Sequence, residues 1–344
     1  MKIMIAAGGT KGHISPALVF AKELKKVNCN VNIYFTATLK DTKYQLEEEP
    51  YLDQVFYLEA YGISKNLKKW YQNLKCYQEI KKLIVKHQID AVIGFGGYIS
   101  GISLYAGKTL KIKTFLHEQN SIMGKANRYT LKFVDQVFLS YPINNLNLSK
   151  MKVVGNPVYL EASRRKEHIY KEKNTILFTS GSLGAKVINE LAVSFLKSSV
   201  SKKYQCTIIS GKKYYEMMKA ELKGIINVKL IAYTKELIDL MAASMIVVTR
   251  AGASTLFEIM GVKTVPIIIP SVNVTENHQY YNAVYFTNQH MGELIEEKDL
   301  SLDHFLLKLN TIETNYADYL KQIDSSKITN SALAMAEEVL YASK

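Results

Sequence analysis

Residues 2–13 read KIMIAAGGTKGH, an apolar run that ends in a glycine-rich turn. The run has the length of a buried strand, and a helical pattern that contains Pro16 follows the glycines. A strand, a glycine turn and a helix in this order predict the first βα unit of a parallel sheet. The N–H groups at such a helix start attract anions, which indicates a phosphate-bearing ligand.

The same arrangement recurs twice further along the chain. The turn SGSLGA at 180–185 follows the run TILFT, and the turn RAGAST at 250–255 follows IVVT. Strand and helix patterns alternate through both halves, so we predict an α/β protein with two Rossmann-like domains facing each other across a cleft.

Length and a break in the pattern predict two domains. A chain of 344 residues exceeds one typical core, and the alternation stops at Gly155-Asn156-Pro157, before a charged segment. We therefore predict domains at residues 1–157 and 158–344, with a C-terminal helix at 328–341 that belongs to the second domain.

The chain is basic, with 44 Lys and Arg against 31 Asp and Glu and a formal net charge of +13. This balance favours phosphate-bearing ligands, nucleic acid or an anionic membrane. Nucleic acid is not expected, because no motif for its recognition accompanies the charge. The three cysteines (Cys29, Cys76 and Cys206) are far apart, which argues against disulfides and structural zinc. Neither a signal peptide nor a run of ~20 apolar residues is present, so we expect a cytoplasmic protein.

Polar residues and glycines follow strand patterns in the first half. His13 opens the first helix, where the positive helix end favours a neutral ring and therefore a general base, with helix capping as the alternative. The segment His117-Glu118-Gln119-Asn120 indicates a hydrogen-bonding cluster for a polar ligand such as a sugar, or a strand-to-helix cap. The glycines at 94–97 permit close approach of the backbone to a ligand, or serve packing alone.

In the second half, most candidate ligand-binding residues lie between residues 247 and 282. Gly252 allows the backbone to approach a diphosphate. Ser254 and Glu258 stand on one helix face and suit a diphosphate and a ribose, or are solvated helix residues. Three polar side chains open the next helix, where sugar recognition and capping both stay open: His278, Gln279 and Asn282.

The segment 61–87 contains seven lysines and a single acid, Glu79. Leucines, a tyrosine and Trp70 are interleaved with them. A basic helix with an exposed tryptophan is typical of docking on an anionic membrane, whereas burial of these apolar side chains in the core is the alternative. The candidate contacts are Lys65, Lys68, Lys69 and Trp70.

Seven motifs occur in order along the chain: GGTxGH, FGGY, HEQN followed by Gly124 and Asn127, GNPV, GSxGA, TRAGAxT…E and HQxxNA. This set resembles the MurG family, the peptidoglycan N-acetylglucosaminyltransferases of the GT-B fold. The resemblance covers nearly the whole chain.

The resemblance implies an inverting transfer of GlcNAc from UDP-GlcNAc to the MurNAc C4 hydroxyl of lipid I, giving lipid II. It implies a peripheral enzyme at the cytoplasmic face of the membrane, without metal or cofactor. His13 would be the base, with Asn120 and Glu118 as competitors. Glu258 would hold the ribose, and a backbone group at Thr234 would read the uracil. The predicted substrate-binding residues are Thr10, Lys11, Gly12, Asn120, Ser182, Thr234, Arg250, Gly252, Ala253, Ser254, Thr255, Glu258, His278, Gln279 and Asn282.

Several positions depart from the family pattern. Lys11 stands where glycine is usual, and Tyr159 stands where arginine commonly follows GNPV. Ser180, Leu183 and Lys186 replace the more usual Gly, Gln and Arg. Loss of a charged donor to a phosphate costs on the order of 2–3 kcal/mol, so we expect weaker donor affinity with activity retained.

Two other functions fit parts of the pattern. One is a GT-B glycosyltransferase on another lipid acceptor such as diacylglycerol, against which HEQN and HQxxNA argue. The other is a catalytically weak UDP-sugar-binding scaffold at the membrane, for which the altered loop residues argue.

Overall fold

The computed structural model describes residues 1–62, 66–143, 149–167, 169–181, 184–326 and 331–342. Contacts divide the chain into two compact units. The first unit comprises Met1–Val158 and Ile328–Lys344, and the second comprises Tyr159–Lys327. The boundary lies one residue beyond the break that the sequence indicates.

The described residues of the first unit form a seven-stranded parallel sheet of order β3-β2-β1-β4-β5-β6-β7. The order reverses at β1, which pairs with β2 on one side and β4 on the other. The elements are β1 (Lys2–Ala6), α1 (Lys11–Val27), β2 (Asn32–Thr38), β3 (Gln54–Leu58), α2 (Leu67–His87), β4 (Ala91–Gly94), α3 (Gly97–Thr109), β5 (Lys113–Glu118), α4 (Lys125–Thr130), β6 (Gln136–Leu139) and β7 (Met151–Val153).

The apolar run in β1 is continuous because helices cover both faces of the sheet. Ile3 and Ile5 pack with Phe20 of α1 on one face. Met4, between them in sequence, packs with Ile80 of α2 on the other face. Successive strand residues therefore serve two separate cores.

The described residues of the second unit form a six-stranded parallel sheet of order β10-β9-β8-β11-β12-β13. Three rings (Phe178, Phe195 and Phe305) pack on one another with centroids 5.3–6.1 Å apart. The elements are α5 (Val158–Lys166), β8 (Thr175–Thr179), α6 (Lys186–Leu196), β9 (Gln205–Ile209), α7 (Tyr215–Glu221), β10 (Val228–Ile231), α8 (Leu237–Ala243), β11 (Ile246–Thr249), α9 (Ala253–Gly261), β12 (Val265–Ile268), α10 (His278–Asn288), β13 (Glu293–Leu294), α11 (Leu302–Thr314) and α12 (Tyr316–Ser325).

The last helix, α13 (Ser331–Ala342), belongs to the first unit. Its buried side chains Met335 and Val339 join the core that contains Phe20 and Leu24 of α1. The assignment of this helix to the second domain is therefore corrected: its apolar face completes the first core, although the second domain precedes it in sequence.

No helix in the described ranges is both long and apolar enough to span a bilayer.

Candidate functional site

The glycine-rich turns all follow strands of parallel sheets, so each lies at the carboxyl edge of its own sheet, where ligands bind in such folds. In the first unit the turn at 8–12 follows β1 and the turn at 94–97 follows the neighbouring β4. In the second unit the turns that begin at Ser180 and Arg250 follow β8 and β11, which also pair directly.

Two glycine turns of the first unit pack directly on each other. Gly96 and Gly97 have φ angles of 103° and 80°, which side chains rarely adopt. A Cβ at Gly97 would lie 2.3 Å from the Gly8 carbonyl oxygen, and one at Gly96 would lie 2.7 Å from His13 Cδ2. The second turn therefore supports the imidazole of His13 through packing that only glycine permits.

His13 is half-buried in the first turn of α1. Its Nδ1 lies 3.0 Å from the Gly8 carbonyl oxygen and 3.3 Å from Thr10 Oγ1. A carbonyl oxygen only accepts, so Nδ1 carries the hydrogen, and in the neutral form of the ring Nε2 is the nitrogen that holds the lone pair. This tautomer is the one that a base acting through Nε2 requires.

Asp41, which is not among the residues predicted from the sequence, contacts the backbone of this turn. The side chain is 1% exposed, and its Oδ1 and Oδ2 lie 3.2 and 3.0 Å from the Gly9 nitrogen. Asp41 belongs to a short 3₁₀ helix that follows β2, and its carboxylate also accepts from the backbone of the N-cap, Thr38. The spacing T-x-x-D is a capping-box signature that could have pointed to it.

His117 at the end of β5 is fully buried. Its Nε2 donates to the Gly155 carbonyl oxygen at 3.0 Å, and its Nδ1 lies 3.1 Å from Gln119 Nε2. Burial lowers the pKa of His117 to about 4, so the ring stays neutral at physiological pH. His117 therefore joins β5 to the segment before the domain boundary, as a packing residue.

Glu118 is also buried, and four donors surround its carboxylate. Oε1 accepts from the backbone and side-chain nitrogens of Asn120 at 2.9 and 3.2 Å. Oε2 accepts from the Gly124 nitrogen at 3.0 Å and from Asn127 Nδ2 at 2.7 Å. These contacts organise the loop before α4, so Glu118 positions Asn120, which is half-buried beside it.

The turn after β8 is only partly described, and the candidate residue Ser182 and the departure at Leu183 lie outside the described residues. Gly184 has a φ of 78°, and a Cβ there would lie 2.1 Å from the Ser210 carbonyl oxygen at the end of β9. Asn189 of α6 donates to the same oxygen at 3.0 Å. Lys186 lies 3.5 Å from Glu190 on the exposed face of α6.

Neither Ala185 nor Gly252, the N-caps of α6 and α9, has a side-chain oxygen to bind the first N–H groups of its helix. On α9, Ser254, Thr255 and Glu258 are half-buried, whereas Ala253 is buried.

Arg250 is held within the second unit. Its Nη1 donates to the Ile269 carbonyl oxygen at 3.0 Å and lies 2.5 Å from Glu297 Oε1. The guanidinium therefore links the ends of β11 and β12 to the segment before α11.

The three polar residues of α10 contact backbone. Asn282 is fully buried, and its Nδ2 donates to the Ala251 carbonyl oxygen at 3.1 Å. Gln279 Oε1 accepts from the Ser271 nitrogen at 2.9 Å, and His278 Nδ1 lies 2.8 Å from the Thr275 carbonyl oxygen. None of these contacts caps α10, whose N-cap Asn277 makes no side-chain cap hydrogen bond. They shape the turn after β11 and the loop after β12, and sugar recognition by these residues stays a prediction.

Thr234 follows β10, and its hydroxyl accepts from the Glu236 nitrogen at 2.9 Å. The ring of Tyr233 beside it is partly exposed, with Lys212 Nζ 5.7 Å from the ring centroid. Neither Tyr233 nor Lys212 is among the residues predicted from the sequence. The turn Ser210-Gly211 after β9 is the sequence feature that could have pointed to this edge of the sheet.

Within the described ranges, no three His, Cys, Asp or Glu side chains come together in a group that could hold a metal ion.

Comparison with known proteins identifies both halves of the chain. Residues 3–139 match the glycosyltransferase family 28 N-terminal domain, and residues 175–338 match the glycosyltransferase family 28 C-terminal domain. A UDP-N-acetylglucosamine--N-acetylmuramyl-(pentapeptide) pyrophosphoryl-undecaprenol N-acetylglucosamine transferase of Levilactobacillus brevis is 33% identical, over 94% of this chain and 92% of the relative. The protein of the same name from Halalkalibacterium halodurans is also 33% identical, over 91% and 90%. The chain belongs to the MurG family.

A solved structure of Acinetobacter baumannii MurG superposes with a TM-score of 0.80 at 22% identity, covering 99% of both chains. The prediction of the MurG family and of its two-domain α/β GT-B fold is thus confirmed. That the two domains face each other across a cleft stays a prediction.

Two residues that depart from the MurG pattern, Lys11 and Tyr159, differ in burial and in their neighbours. Lys11 is exposed at the start of α1. The backbone of Tyr159 packs closely on Gly261: a Cβ at position 261 would lie only 2.6 Å from the Tyr159 carbonyl oxygen. Gly261 ends the nine-residue α9, about 13 Å from Gly252 at its other end. Burial raises the pKa of Tyr159, and Lys263 and Asp324 are the charges that act on it.

Proposed function

We propose that this protein transfers GlcNAc from UDP-GlcNAc to the C4 hydroxyl of MurNAc in undecaprenyl-diphospho-MurNAc-pentapeptide, which is the lipid I to lipid II step of peptidoglycan synthesis. The observation that carries the proposal is the similarity to transferases of that name over 94% of this chain and 92% of the relative. The match therefore includes both sheets and their carboxyl-edge turns, beyond a nucleotide-binding domain that unrelated enzymes also use.

The reaction is a single displacement at the anomeric carbon with inversion, giving a β-1,4 bond. The bond from the acceptor O4 to C1 of GlcNAc forms as the bond from C1 to the diphosphate oxygen breaks. The electron pair of the broken bond leaves with UDP, and the proton of the acceptor hydroxyl passes to a base.

His13 is our candidate for that base. Its Nδ1–H is held by the Gly8 carbonyl oxygen, so Nε2 holds the lone pair that accepts a proton. Glu118 has both oxygens occupied by its own loop and is fully buried, which suits positioning of Asn120 better than proton transfer. Asn120 remains the candidate for hydrogen bonding to the acceptor.

The donor binds, in this proposal, to the carboxyl edge of the second sheet. N–H groups at the starts of α6 and α9, with the Ser254 and Thr255 hydroxyls, bind the diphosphate and stabilise the charge that departs with UDP. Ser182, which lies outside the described residues, is a further candidate from the sequence alone. Glu258 accepts from the ribose hydroxyls, and a backbone group of Thr234 pairs with uracil.

The remaining polar candidates of the second unit contact the protein backbone around this donor site. Arg250 and Asn282 are tied to neighbouring backbone. We assign Arg250 and Asn282 to positioning of the turn after β11. Gln279 and His278 position the loop after β12, which we place next to the sugar of the donor.

The acceptor diphosphate is assigned to the turn of Thr10, Lys11 and Gly12 at the start of α1. All three residues are exposed. The ammonium of Lys11, placed where the family commonly has glycine, adds a cation beside the helix N-terminus.

A transfer assay with UDP-GlcNAc and a short-chain lipid I analogue, with chelator present, tests the function. We expect UDP release together with a disaccharide product whose new linkage is β-1,4. Transfer to diacylglycerol in its place would assign the chain to another lipid acceptor. Binding of UDP-GlcNAc with no transfer to either acceptor would identify a UDP-sugar-binding scaffold.

We further propose that the first two turns of α2 dock on the cytoplasmic face of an anionic membrane. Leu67, Trp70 and Tyr71 are 82%, 62% and 64% exposed, and with Leu74 they follow the i, i+3, i+4, i+7 spacing of one helix face. The core is instead contacted by a later stretch of the helix, through Cys76, Ile80 and Ile84. The alternative that Trp70 is buried in the core is therefore wrong.

Lysines flank this apolar face, as surface docking on anionic lipid requires. Lys68 and Lys69 are exposed in its first turn, where Asn66 caps the helix by accepting from their backbone nitrogens at 2.9 and 3.4 Å. Lys65, the fourth candidate contact, lies outside the described residues.

Reversing two of these charges should weaken membrane binding. Each lysine near an anionic surface contributes about 1 kcal/mol, so loss of the attraction in Lys68→Glu with Lys69→Glu should lower vesicle partition by about 30-fold, and repulsion of the two introduced carboxylates should lower it further. The measurement is co-sedimentation with phosphatidylglycerol-containing vesicles at fixed ionic strength. Lys82→Glu with Lys86→Glu is the matched control, because these exposed lysines lie about 20 Å along the helix, beyond the Debye length. Equal partition of the two double variants would contradict docking through this face.

A further inference from the structure

Asp41 is a buried carboxylate that the proposed reaction leaves unused. Both of its oxygens lie within hydrogen-bond distance of the Gly9 nitrogen, and Oδ2 also accepts from the Thr38 nitrogen at 3.0 Å and the Thr38 hydroxyl at 2.5 Å. The group acts only as an acceptor in these contacts, as a carboxylate does. At 1% exposure it has no direct route to a substrate.

The carboxylate sets the position of the first glycine turn. A Cβ at Gly8 would lie 2.7 Å from Asp41 Oδ2, so the backbone of Gly8 rests on the carboxylate itself. On the other side, a Cβ at Gly97 would lie 2.3 Å from the Gly8 carbonyl oxygen. Gly8 is thus confined between Asp41 and the turn after β4, which leaves its carbonyl little freedom to rotate.

That carbonyl is the acceptor of His13 Nδ1–H, at 3.0 Å. The chain of contacts runs from Asp41 to the turn of Gly8 and Gly9, and from the Gly8 carbonyl to the imidazole. If the turn relaxes, the Gly8 oxygen moves and Nδ1 is left with the Thr10 hydroxyl, which can donate as well as accept and so does not fix the hydrogen on Nδ1. A histidine tautomer is set by the hydrogen bond of its other nitrogen, so Nε2 would then no longer be held as the lone-pair site.

We infer that Asp41 is a positioning residue for His13: by holding the turn of Gly8 and Gly9 from below, it fixes the tautomer and orientation of the imidazole. The consequence for catalysis rests on the proposed function, whereas the consequence for the tautomer of His13 does not. Asp41 is placed by the fold alone, since 32 residues separate it from Gly9.

The test compares two substitutions at Asp41 with a matched control. Asp41→Ala removes the acceptor, and Asp41→Asn keeps the volume and one oxygen. Asp53→Ala is the control, because Asp53 also accepts from backbone, at 2.7 Å from the Ile33 nitrogen, but lies near the start of β2, at the opposite edge of the sheet. Thermal unfolding of each variant reports the structural cost.

The first readout is the kcat of transfer against the KM for UDP-GlcNAc. Since misplacement of a reacting group by about 1 Å costs up to ~100-fold in rate, Asp41→Ala should lower kcat by about 10- to 100-fold with the donor KM nearly unchanged. The kcat of Asp41→Asn should lie between those of wild type and Asp41→Ala, and Asp53→Ala should keep the wild-type kcat. Equal loss of kcat in Asp41→Ala and Asp53→Ala would overturn the inference.

The second readout is the ¹⁵N spectrum of imidazole-labelled protein, with the His13 resonance assigned from the His13→Ala variant. Wild type should show the Nδ1–H tautomer, and Asp41→Ala should show a population with hydrogen on Nε2. This readout needs no turnover, so it tests Asp41 even if the transfer assay fails. If Asp41→Ala does not fold, Asp41→Asn decides, and a wild-type kcat and tautomer in that variant would refute the positioning role.

Discussion

The His13→Ala variant should lose about 10²- to 10⁴-fold in kcat for transfer to the lipid I analogue, with the KM for UDP-GlcNAc nearly unchanged. The loss follows from the geometry of the ring, in which Nδ1 is held by the Gly8 carbonyl oxygen and Nε2 carries the lone pair. The donor KM should stay constant because the nucleotide is assigned to the second unit, whereas His13 belongs to the first. Steady-state kinetics with both substrates varied measures the two parameters separately.

His304→Ala is the matched control for this experiment. Like His13, His304 is the third residue of its helix, and its Nδ1 lies 3.0 Å from the carbonyl oxygen of a residue five positions earlier, Asp299. The two substitutions thus remove the same ring from the same local setting, and only one of them lies at a proposed site. If both variants turn over like wild type, the base is another group, and Glu118, the remaining candidate that can accept a proton, becomes the first to test.

The Glu258→Ala variant should raise the KM for UDP-GlcNAc by about 10- to 100-fold, since a hydrogen bond to a charged group is worth about 1.5–3 kcal/mol. The carboxylate is half-buried one turn into α9, beyond the Gly252 N-cap. The contact with ribose is the same before and during transfer, so kcat should change much less than KM. The affinity for UDP alone should fall by a similar factor, which isothermal titration calorimetry measures.

A donor that lacks the 2′ and 3′ hydroxyls separates a ribose contact from a general disturbance of α9. With the dideoxy donor, wild type and Glu258→Ala should have the same KM, because the partner of the carboxylate is gone. Glu190→Ala, on the exposed face of α6, controls for the loss of a charge in the same unit. A persisting difference between wild type and Glu258→Ala with the dideoxy donor would falsify the ribose assignment.

The sequence identifies polar residues at the ends of strands, but it does not show which of them are buried and bind the protein itself. The segment His117-Glu118-Gln119-Asn120 predicts either a cluster that binds a polar ligand or a strand-to-helix cap, because polar residues are unusual at the end of a buried strand. In the structure the polar atoms of His117 and Glu118 bind the protein itself, through Gly155, Gly124 and Asn127. A residue that binds ligand and one that binds a distant backbone group have the same sequence signal, and only tertiary packing distinguishes them.

Local patterns by themselves determined the architecture of this protein. Continuous apolar runs such as IMIA in β1, followed by glycines and a helical period, require a parallel sheet covered on both faces, because such runs are stable only when buried on both sides. These are interactions between near neighbours in sequence, so their signal is contained in short stretches of it.

Contacts between distant residues were decided by the tertiary structure alone. Asp41 meets Gly9 across 32 residues, and α13 completes a core begun by α1 more than 300 residues earlier. The exposure of Trp70 was likewise open until α2 presented Cys76, Ile80 and Ile84 to the core. Such contacts depend on how the elements pack in space, and the free energy of burial depends on area without regard to separation along the chain, so one sequence carries no local trace of them.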